Sequence, residues 1–337
     1  MIILGIETSC DECSIALVED GKKILSHVIA TQIPFHAPFD GVVPEIASRK
    51  HVEWIRGVYK KAIFESGLTS SAIDGIAVTN RPGLSGSLIV GLTFAKALSM
   101  ALEKPFIGID HVLAHLYAPQ LEFSIGYPYL GLLVSGGHSL ICRVNSHDKV
   151  ETLGASIDDA VGEAFDKVAK HLGLGYPGGK AIDQLARKGN PRAYLFPKAN
   201  LYKGDHPYDF SFSGIKNAVV NQKDQFWDQT SDQSVQNICA SFEKVAVDTL
   251  LKKVLKAAVE TGIHRIVAGG GVAANTYLRN TLSALDDYET YYPSYSLCTD
   301  NGAMIAGLGY HYLIRGVESP LSETVYPRVP GFRKAYP

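Results

Sequence analysis

Two histidines four residues apart, His111 and His115, lie in the run Asp110-His-Val-Leu-Ala-His. At about 3.6 residues per helical turn, positions four apart share one face, so two imidazoles can reach one cation. Two ligands are too few to hold an ion, and a carboxylate from elsewhere must complete the set. Asp300, in Thr299-Asp300-Asn301-Gly302, opens a predicted helix and is the candidate. It reads equally well as an N-cap with no further duty, and the pattern does not choose between the two. Val112 stands where a zinc-peptidase motif needs its general-base Glu, so the pair does not spell that chemistry. The plainer reading, two histidines satisfying polar neighbours, stays open beside the metal.

Two glycine-rich turns could seat an anion. Val134-Ser135-Gly136-Gly137-His138 separates two strand-like runs, and its glycines permit positive φ and close backbone approach. An ordinary hairpin turn has the same composition. Gly269-Gly270-Gly271-Val-Ala-Ala274-Asn275 matches the dinucleotide fingerprint G-x-G-x-x-A. A dinucleotide fold begins with that unit, however, and fewer than seventy residues follow it here. A nucleotide contact at the same strand–helix turn remains a reasonable reading. Asp158 to Lys167 reads as an amphipathic helix with Glu163 and Asp166 on one face. Gly175 to Asp183 follows. It fails as a Walker loop because Ala181 replaces Ser or Thr, and reads as a loop touching ribose or base through Gly179 and Asp183. For any one of these acids an exposed helix face is the commoner case. Cys10-x-x-Cys13 lacks a second pair and is expected to be neither a redox nor a zinc motif.

The elements that must position these residues occur twice. Apolar runs at 2–8 and 14–18 flank the small polar turn Ser9 to Glu12, and runs at 129–134 and 139–144 flank the Ser-Gly-Gly-His turn. A strand at 74–79 leads into a helix at 86–102, and a strand at 264–268 leads into a helix at 274–285. Long helices are predicted at 44–66, opened by Pro44-Glu45, and at 232–261, stopped by Gly262. Alternating strands and helices imply parallel sheets covered by helices. Their duplication predicts an α/β chain of the actin-like/hexokinase-like kind, two-lobed, with duplicated mixed-sheet subdomains. The expected lobes are 1–125 and 126–337, the latter with a helical insertion around 156–230.

Composition narrows the class. With 46% hydrophobic and 20% charged residues the chain is an ordinary globular protein. A net charge of −2 announces no nucleic-acid grip, and the basic pairs Arg49-Lys50, Lys60-Lys61, Arg187-Lys188, Lys252-Lys253 and Arg333-Lys334 are scattered. If RNA is the substrate, partners supply part of the grip. Five cysteines, an odd number, argue against a disulfide framework. The apolar stretch Leu88 to Leu102 is expected to be too short for a bilayer, so no membrane partner is expected and the cytoplasm is the expected location.

Taken together the segments resemble the TsaD family of tRNA threonylcarbamoyladenosine transferases, once described as O-sialoglycoprotein endopeptidases. Matching stretches run in order along nearly the whole chain: GIETSCDE (5–12), GVVPEIASRKH (41–51), PGLSGSLIVG (82–91), IDHVLAH (109–115), LLVSGGHS (132–139), FDKVAK (165–170), YPGGKAID (176–183), DFSFSGIKNA (209–218), GGGVAAN (269–275) and CTDNGAM (298–304). The resemblance implies an actin-like fold and transfer of threonylcarbamoyl from threonylcarbamoyl-AMP to N6 of adenosine 37 in tRNAs reading ANN codons. It implies that His111, His115 and Asp300 bind one divalent metal ion, iron in the family, with zinc also suited. It implies that Val134, Ser135, Gly136, Gly137, His138, Asp166, Gly179, Asp183 and Asn275 hold the adenylate. Asp11 and Glu12, in the first hairpin turn, are the candidate catalytic residues. By the same resemblance the partners are tRNA, a paralogous non-catalytic subunit of the TsaB kind and a small ATPase of the TsaE kind. The chain departs from the family at Cys13, at Phe39-Asp40-Gly41 and at Asn80-Arg81-Pro82-Gly83, where local loop geometry is in question. The competing readings are a small-molecule kinase on the same fold, a metallopeptidase and a non-catalytic scaffold.

Overall fold

The structure is a computed structural model that describes residues 1–197, 207–228 and 231–328. The basic pair Arg333-Lys334 and parts of the predicted insertion, 198–206 and 229–230, lie outside the described residues.

In the first compact unit, strands β1 (Ile2–Glu7), β2 (Glu12–Glu19), β3 (Lys23–Thr31), β4 (Gly75–Arg81) and β5 (Phe106–Asp110) form one sheet in the order β3-β2-β1-β4-β5. β1, β2 and β3 are antiparallel neighbours, whereas β1, β4 and β5 run parallel. Helices α1 (Ile33–His36), α2 (Pro44–Ser66), α3 (Ser85–Leu102) and α4 (His111–Tyr117) follow the strands. In the second unit, β6 (Tyr129–Val134), β7 (Ser139–Ser146), β8 (Lys149–Ala155), β9 (Arg265–Gly269) and β10 (Glu289–Tyr291) repeat the scheme in the order β8-β7-β6-β9-β10. The sense of every pairing is the same as in the first sheet. The duplication expected from thin internal likeness is therefore strand for strand. Its helices are α5 (Val161–His171), α6 (Gly178–Ala186), α7 (Ser213–Phe226), α8 (Asp232–Thr261) and α9 (Thr276–Ser283); α10 (Tyr295–Cys298) and α11 (Gly302–Leu313) belong to the first unit.

The long helices obey their end signals. Pro44 occupies the first turn of α2, where its missing N–H costs nothing, and α2 and α8 stop at Gly67 and Gly262, both left-handed.

Three expectations change. The sequence placed one crossing at 125/126, but the chain crosses back: the first unit comprises Met1–Ile125 and the segment from Pro293, the second Gly126–Tyr292. The cause is α11, which packs on β1, β2 and β4. A Cβ at Gly5 would overlap the Gly302 carbonyl and the Ala306 backbone, and the Gly302 N–H donates to Ser14 Oγ at 2.9 Å. Second, Gly179 and Asp183 lie on helix α6, not on a loop, while Asp158 and Asp159 precede α5. The glycines that suggested a loop at 175–179 include Gly178, whose lack of Cβ lets α6 start against Asp166 of α5. Third, α3 begins at Ser85, and its 18 residues have the length and apolarity of a membrane span. It packs on α2 and β4 through one face, burying Ser87, Leu88, Gly91, Leu92 and Ala95, with Gly91 against Thr8.

The departing positions are accommodated locally. Cys13 is fully buried on β2, and burial pushes its thiol up to about 12. Asp40 takes a left-handed φ of 52° after the turn Ala37–Phe39. Asn80 accepts the Tyr326 N–H at 2.9 Å, and Gly83 packs against Ser9 where a Cβ would not fit.

Candidate functional site

β5 ends in Asp110, whose Oδ1 accepts the N–H groups of Val112 and Leu113 at 2.9 and 3.2 Å and so starts α4. That start turns one helix face, carrying His111 and His115, toward Asp300. His115 Nε2 stands 3.1 Å and His111 Nε2 3.4 Å from the same Asp300 Oδ1. The ligand atoms of the three residues lie within 4.8 Å of one another. Asp300 is not the helix cap: Asn301 is, with its side chain accepting the Met304 N–H at 2.9 Å. The ambiguity left by the sequence is resolved by division of labour between adjacent residues.

Behind His111 stands Glu7, the last residue of β1 and fully buried. Its Oε2 is 3.0 Å from His111 Nδ1 and also accepts the Thr79 hydroxyl; its Oε1 accepts the Ser9 N–H at 2.6 Å. Burial alone would raise the Glu7 pKa, but the charge and hydrogen bond of His111 bring it below the ordinary value. His111 is itself raised to about 9, because Asp300 and Glu7 outweigh the opposing effect of burial. His115, buried and beside a charged His111, is lowered. A carboxylate on the remote nitrogen of an imidazole fixes its tautomer and leaves the other nitrogen to face an ion. Two imidazole nitrogens and one carboxylate oxygen, with this support, fit a borderline divalent ion such as iron or zinc.

Asp11 and Glu12 join the same charge field. Asp11 is buried in the turn before β2, and Glu12 opens that strand. The turn is pinned from two sides: Gln32 N–H donates to the Asp11 carbonyl at 2.9 Å, and His51 Nε2 of α2 donates to the Cys10 carbonyl at 2.8 Å. Burial first, then the charges of Asp11 and Asp300, raise the Glu12 carboxyl well above its usual range. The same order of causes pushes the Cys10 thiol up, so it is no thiolate nucleophile. Glu7 and Asp300 thus flank the two imidazoles, and their negative charge suits a cation at this place.

In the second unit the Val134–His138 turn is closed by Ser135 N–H to the His138 carbonyl at 2.8 Å and His138 N–H to Ser135 Oγ at 3.1 Å. Contrary to expectation, neither Gly136 nor Gly137 has positive φ, and a Cβ on either would meet nothing. The demanding glycine is Gly270, with φ +92° and its Cα against the Val134 carbonyl. Asp166 accepts the Gly178 N–H at 2.8 Å and so fixes where α6 begins. Asp183 and Asn275 meet: Asn275 Nδ2 is 3.4 Å from Asp183 Oδ1, and Asp183 accepts the Thr276 N–H at 2.8 Å.

Sequence reasoning missed Glu7, Ser9 and Thr79 around His111, and Glu243 beside Asn275. Their signal was a carboxylate inside an apolar run: Glu7 ends Ile2–Ile6, and Glu243 interrupts the run from Ile238 to Val247.

Two mixed sheets of identical pairing, one carrying a His–His–Asp cluster, define an actin-like protein of the ASKHA kind with a candidate divalent-ion centre. The TsaD family, described as tRNA N6-adenosine threonylcarbamoyltransferase, matches residues 23–307. Proteins of that name are 59% identical in Treponema denticola, over 99% of both chains, and 51% identical in Treponema pallidum, over 99% of this chain and 95% of that one. The chain belongs to this family. Among solved structures, full-length HypF in its phosphate- and nucleotide-bound form superposes with a TM-score of 0.58 at 17% identity, over 92% of this chain and 46% of that one. Component A of the Acidaminococcus fermentans (R)-2-hydroxyglutaryl-CoA dehydratase gives 0.55 at 13% identity, over 93% and 99%. At such identities these two likenesses show the fold alone. The kinase and peptidase readings are not favoured, because the full-length relatives carry the transferase name.

Proposed function

We propose that this chain transfers a threonylcarbamoyl group to N6 of adenosine in tRNA, the acceptor being adenosine 37 of tRNAs that read ANN codons and the donor threonylcarbamoyl-AMP. The observation that carries this reading is 59% identity over 99% of the chain to a protein named for that transfer. The exocyclic amine of adenine attacks the carbonyl carbon of the mixed carbamic–phosphoric anhydride. The bond from that carbon to the phosphate oxygen breaks, and AMP leaves with the electron pair. The proton shed by N6 passes to Asp11, with Glu12 the neighbouring acid whose carboxyl burial raises well above its usual range.

Because the donor is already activated, the protein mainly positions it and stabilises charge. The turn at Gly136 and Gly137, where an added side chain would meet nothing, and the turn from Gly269 to Gly271 leave room for the phosphate to approach the backbone. His111, His115 and Asp300 would hold a divalent ion, iron by family resemblance with zinc also suited, supplying Lewis-acid polarisation and a template for the donor. Glu7 orients His111 for that duty. The same reading gives the chain a paralogous non-catalytic partner and a small ATPase, and places it in the cytoplasm.

The test is direct. The metal-loaded chain, with and without those partners, is incubated with threonylcarbamoyl-AMP and unmodified tRNA, and the nucleosides are analysed by mass spectrometry. Threonylcarbamoyladenosine at position 37, absent with Asp11→Ala although the adenylate still binds, is the expected result. Modified tRNA formed at the wild-type rate by Asp11→Ala would remove Asp11 from the mechanism; no product under any condition would remove the reading.

A further inference from the structure

We infer that Glu243 is a positioning residue for the adenylate seat of the second unit, holding the Asn275 amide and with it the start of α9 just beyond the Gly269–Gly271 turn. The inference rests on the reading above only in taking this turn to contact the donor. Glu243 lies within α8 and is 5% exposed, among the buried neighbours Phe242, Cys239 and Val247. Its Oε1 accepts from Asn275 Nδ2 at 2.5 Å. The same nitrogen is 3.4 Å from Asp183 Oδ1, while Asn275 Oδ1 accepts the Leu278 N–H at 2.9 Å. Both hydrogens of that amide and its oxygen are thus engaged within the protein. Asn275 thus forms a strut between α6, α8 and α9, whatever contact it also makes with the donor.

The charges around the strut decide its protonation. Asp183 pairs with Arg187 and accepts both the Thr276 N–H and hydroxyl, so its needs are met by a cation and by the α9 start. Among the described residues, Glu243 has its hydrogen bond to the neutral amide. Burial first, and the Asp183 charge next, push it up to about 8 against the Asn275 hydrogen bond and the Arg187 charge. The other titratable neighbour is Cys239, one turn earlier on α8, its thiol pushed up to about 12 by burial and by Glu243. At neutral pH the strut is therefore a neutral acid–amide pair. Ionising it would place a second carboxylate beside Asp183 and loosen the end of the glycine turn.

The test uses the full chain. KM for threonylcarbamoyl-AMP and kcat are measured from pH 6.5 to 9 for the wild type, Glu243→Ala and Glu243→Gln, with calorimetric Kd for AMP alongside. Glu243→Ala is expected to raise KM and the AMP Kd on the order of ten-fold while kcat stays within about two-fold. Glu243→Gln, an isostere of the neutral acid, restores both at pH 7. The wild-type KM rises as pH passes about 8, and the Gln variant's does not. Unchanged KM and Kd in the Ala variant, a Gln variant as impaired as Ala, or identical pH profiles for wild type and Gln would each overturn the role. If Glu243→Ala does not fold, the wild-type and Gln profiles decide alone. A wild-type chain that binds no AMP discards the adenylate seat and this inference together, whereas normal AMP binding by Glu243→Ala discards the inference only.

Discussion

Glu7 Oε2 lies 3.0 Å from His111 Nδ1, joining the buried end of β1 to the first residue of α4. The contact spans 104 positions of sequence and aims the opposite imidazole nitrogen at Asp300. A ligand held from behind in this way is stiffer and more basic than a free imidazole.

Glu7→Gln keeps the shape of the side chain and removes its charge. Affinity for iron(II) or zinc is expected to fall by about ten- to hundred-fold, the usual effect of losing such a support. Competition against a chromophoric chelator measures it; wild-type affinity in the variant would show that Glu7 does not tune the site.

Asp300 and Asn301 are neighbours with separable duties. Asn301→Ala removes the N-cap of α11 and two further hydrogen bonds, from Nδ2 to the Leu297 and Thr299 carbonyls. It should cost about 1–3 kcal/mol of stability. Asp300→Ala should cost little when compared metal-free, yet abolish stoichiometric metal binding. Urea unfolding and metal analysis of both variants settle the division; a swap of the two phenotypes would contradict it.

Glu243 links stability to pH. Its folded-state value of about 8 lies above the ordinary 4.5, so the folded chain holds this proton where the unfolded chain has released it. The stabilisation is complete below about 4.5 and is lost as pH rises through about 8. Glu243→Gln lacks this loss. Relative to the wild type its melting temperature should climb from pH 5 to 8, and parallel curves would refute the buried neutral acid.

Gly270→Ala forces a side chain onto φ +92° and against the Val134 carbonyl. Backbone strain of this kind costs about 1–3 kcal/mol. Because the displaced neighbour opens the Val134–His138 turn, AMP should bind more weakly as well. A variant as stable as the wild type with unaltered AMP affinity would show that the turn tolerates the shift.

Local patterns carried most of the elements. The helix spanning Pro44–Ser66 and that spanning Asp232–Thr261 lie where proline, capping and glycine signals put them, because those signals act within a turn or two of backbone. Strands β3 and β8 escaped notice: half-exposed and mixed with polar residues, they take their conformation from pairing with β2 and β7. Asp183 was read on a loop because its preceding glycines look like turn residues. Gly178 is there for close helix contact.

By itself the sequence determined the paired strands, the long helices, the same-face histidines and the family, all of which depend on residue type and short spacing. Only the tertiary structure decided that Asp300 and not Asn301 turns toward the imidazoles, that Glu7 stands behind His111, and that Glu243 grips Asn275. Those relations join residues from 32 to nearly 200 positions apart. They exist because α11 packs on β1 through two glycines and because buried carboxyl groups must find donors wherever the packed chain supplies them.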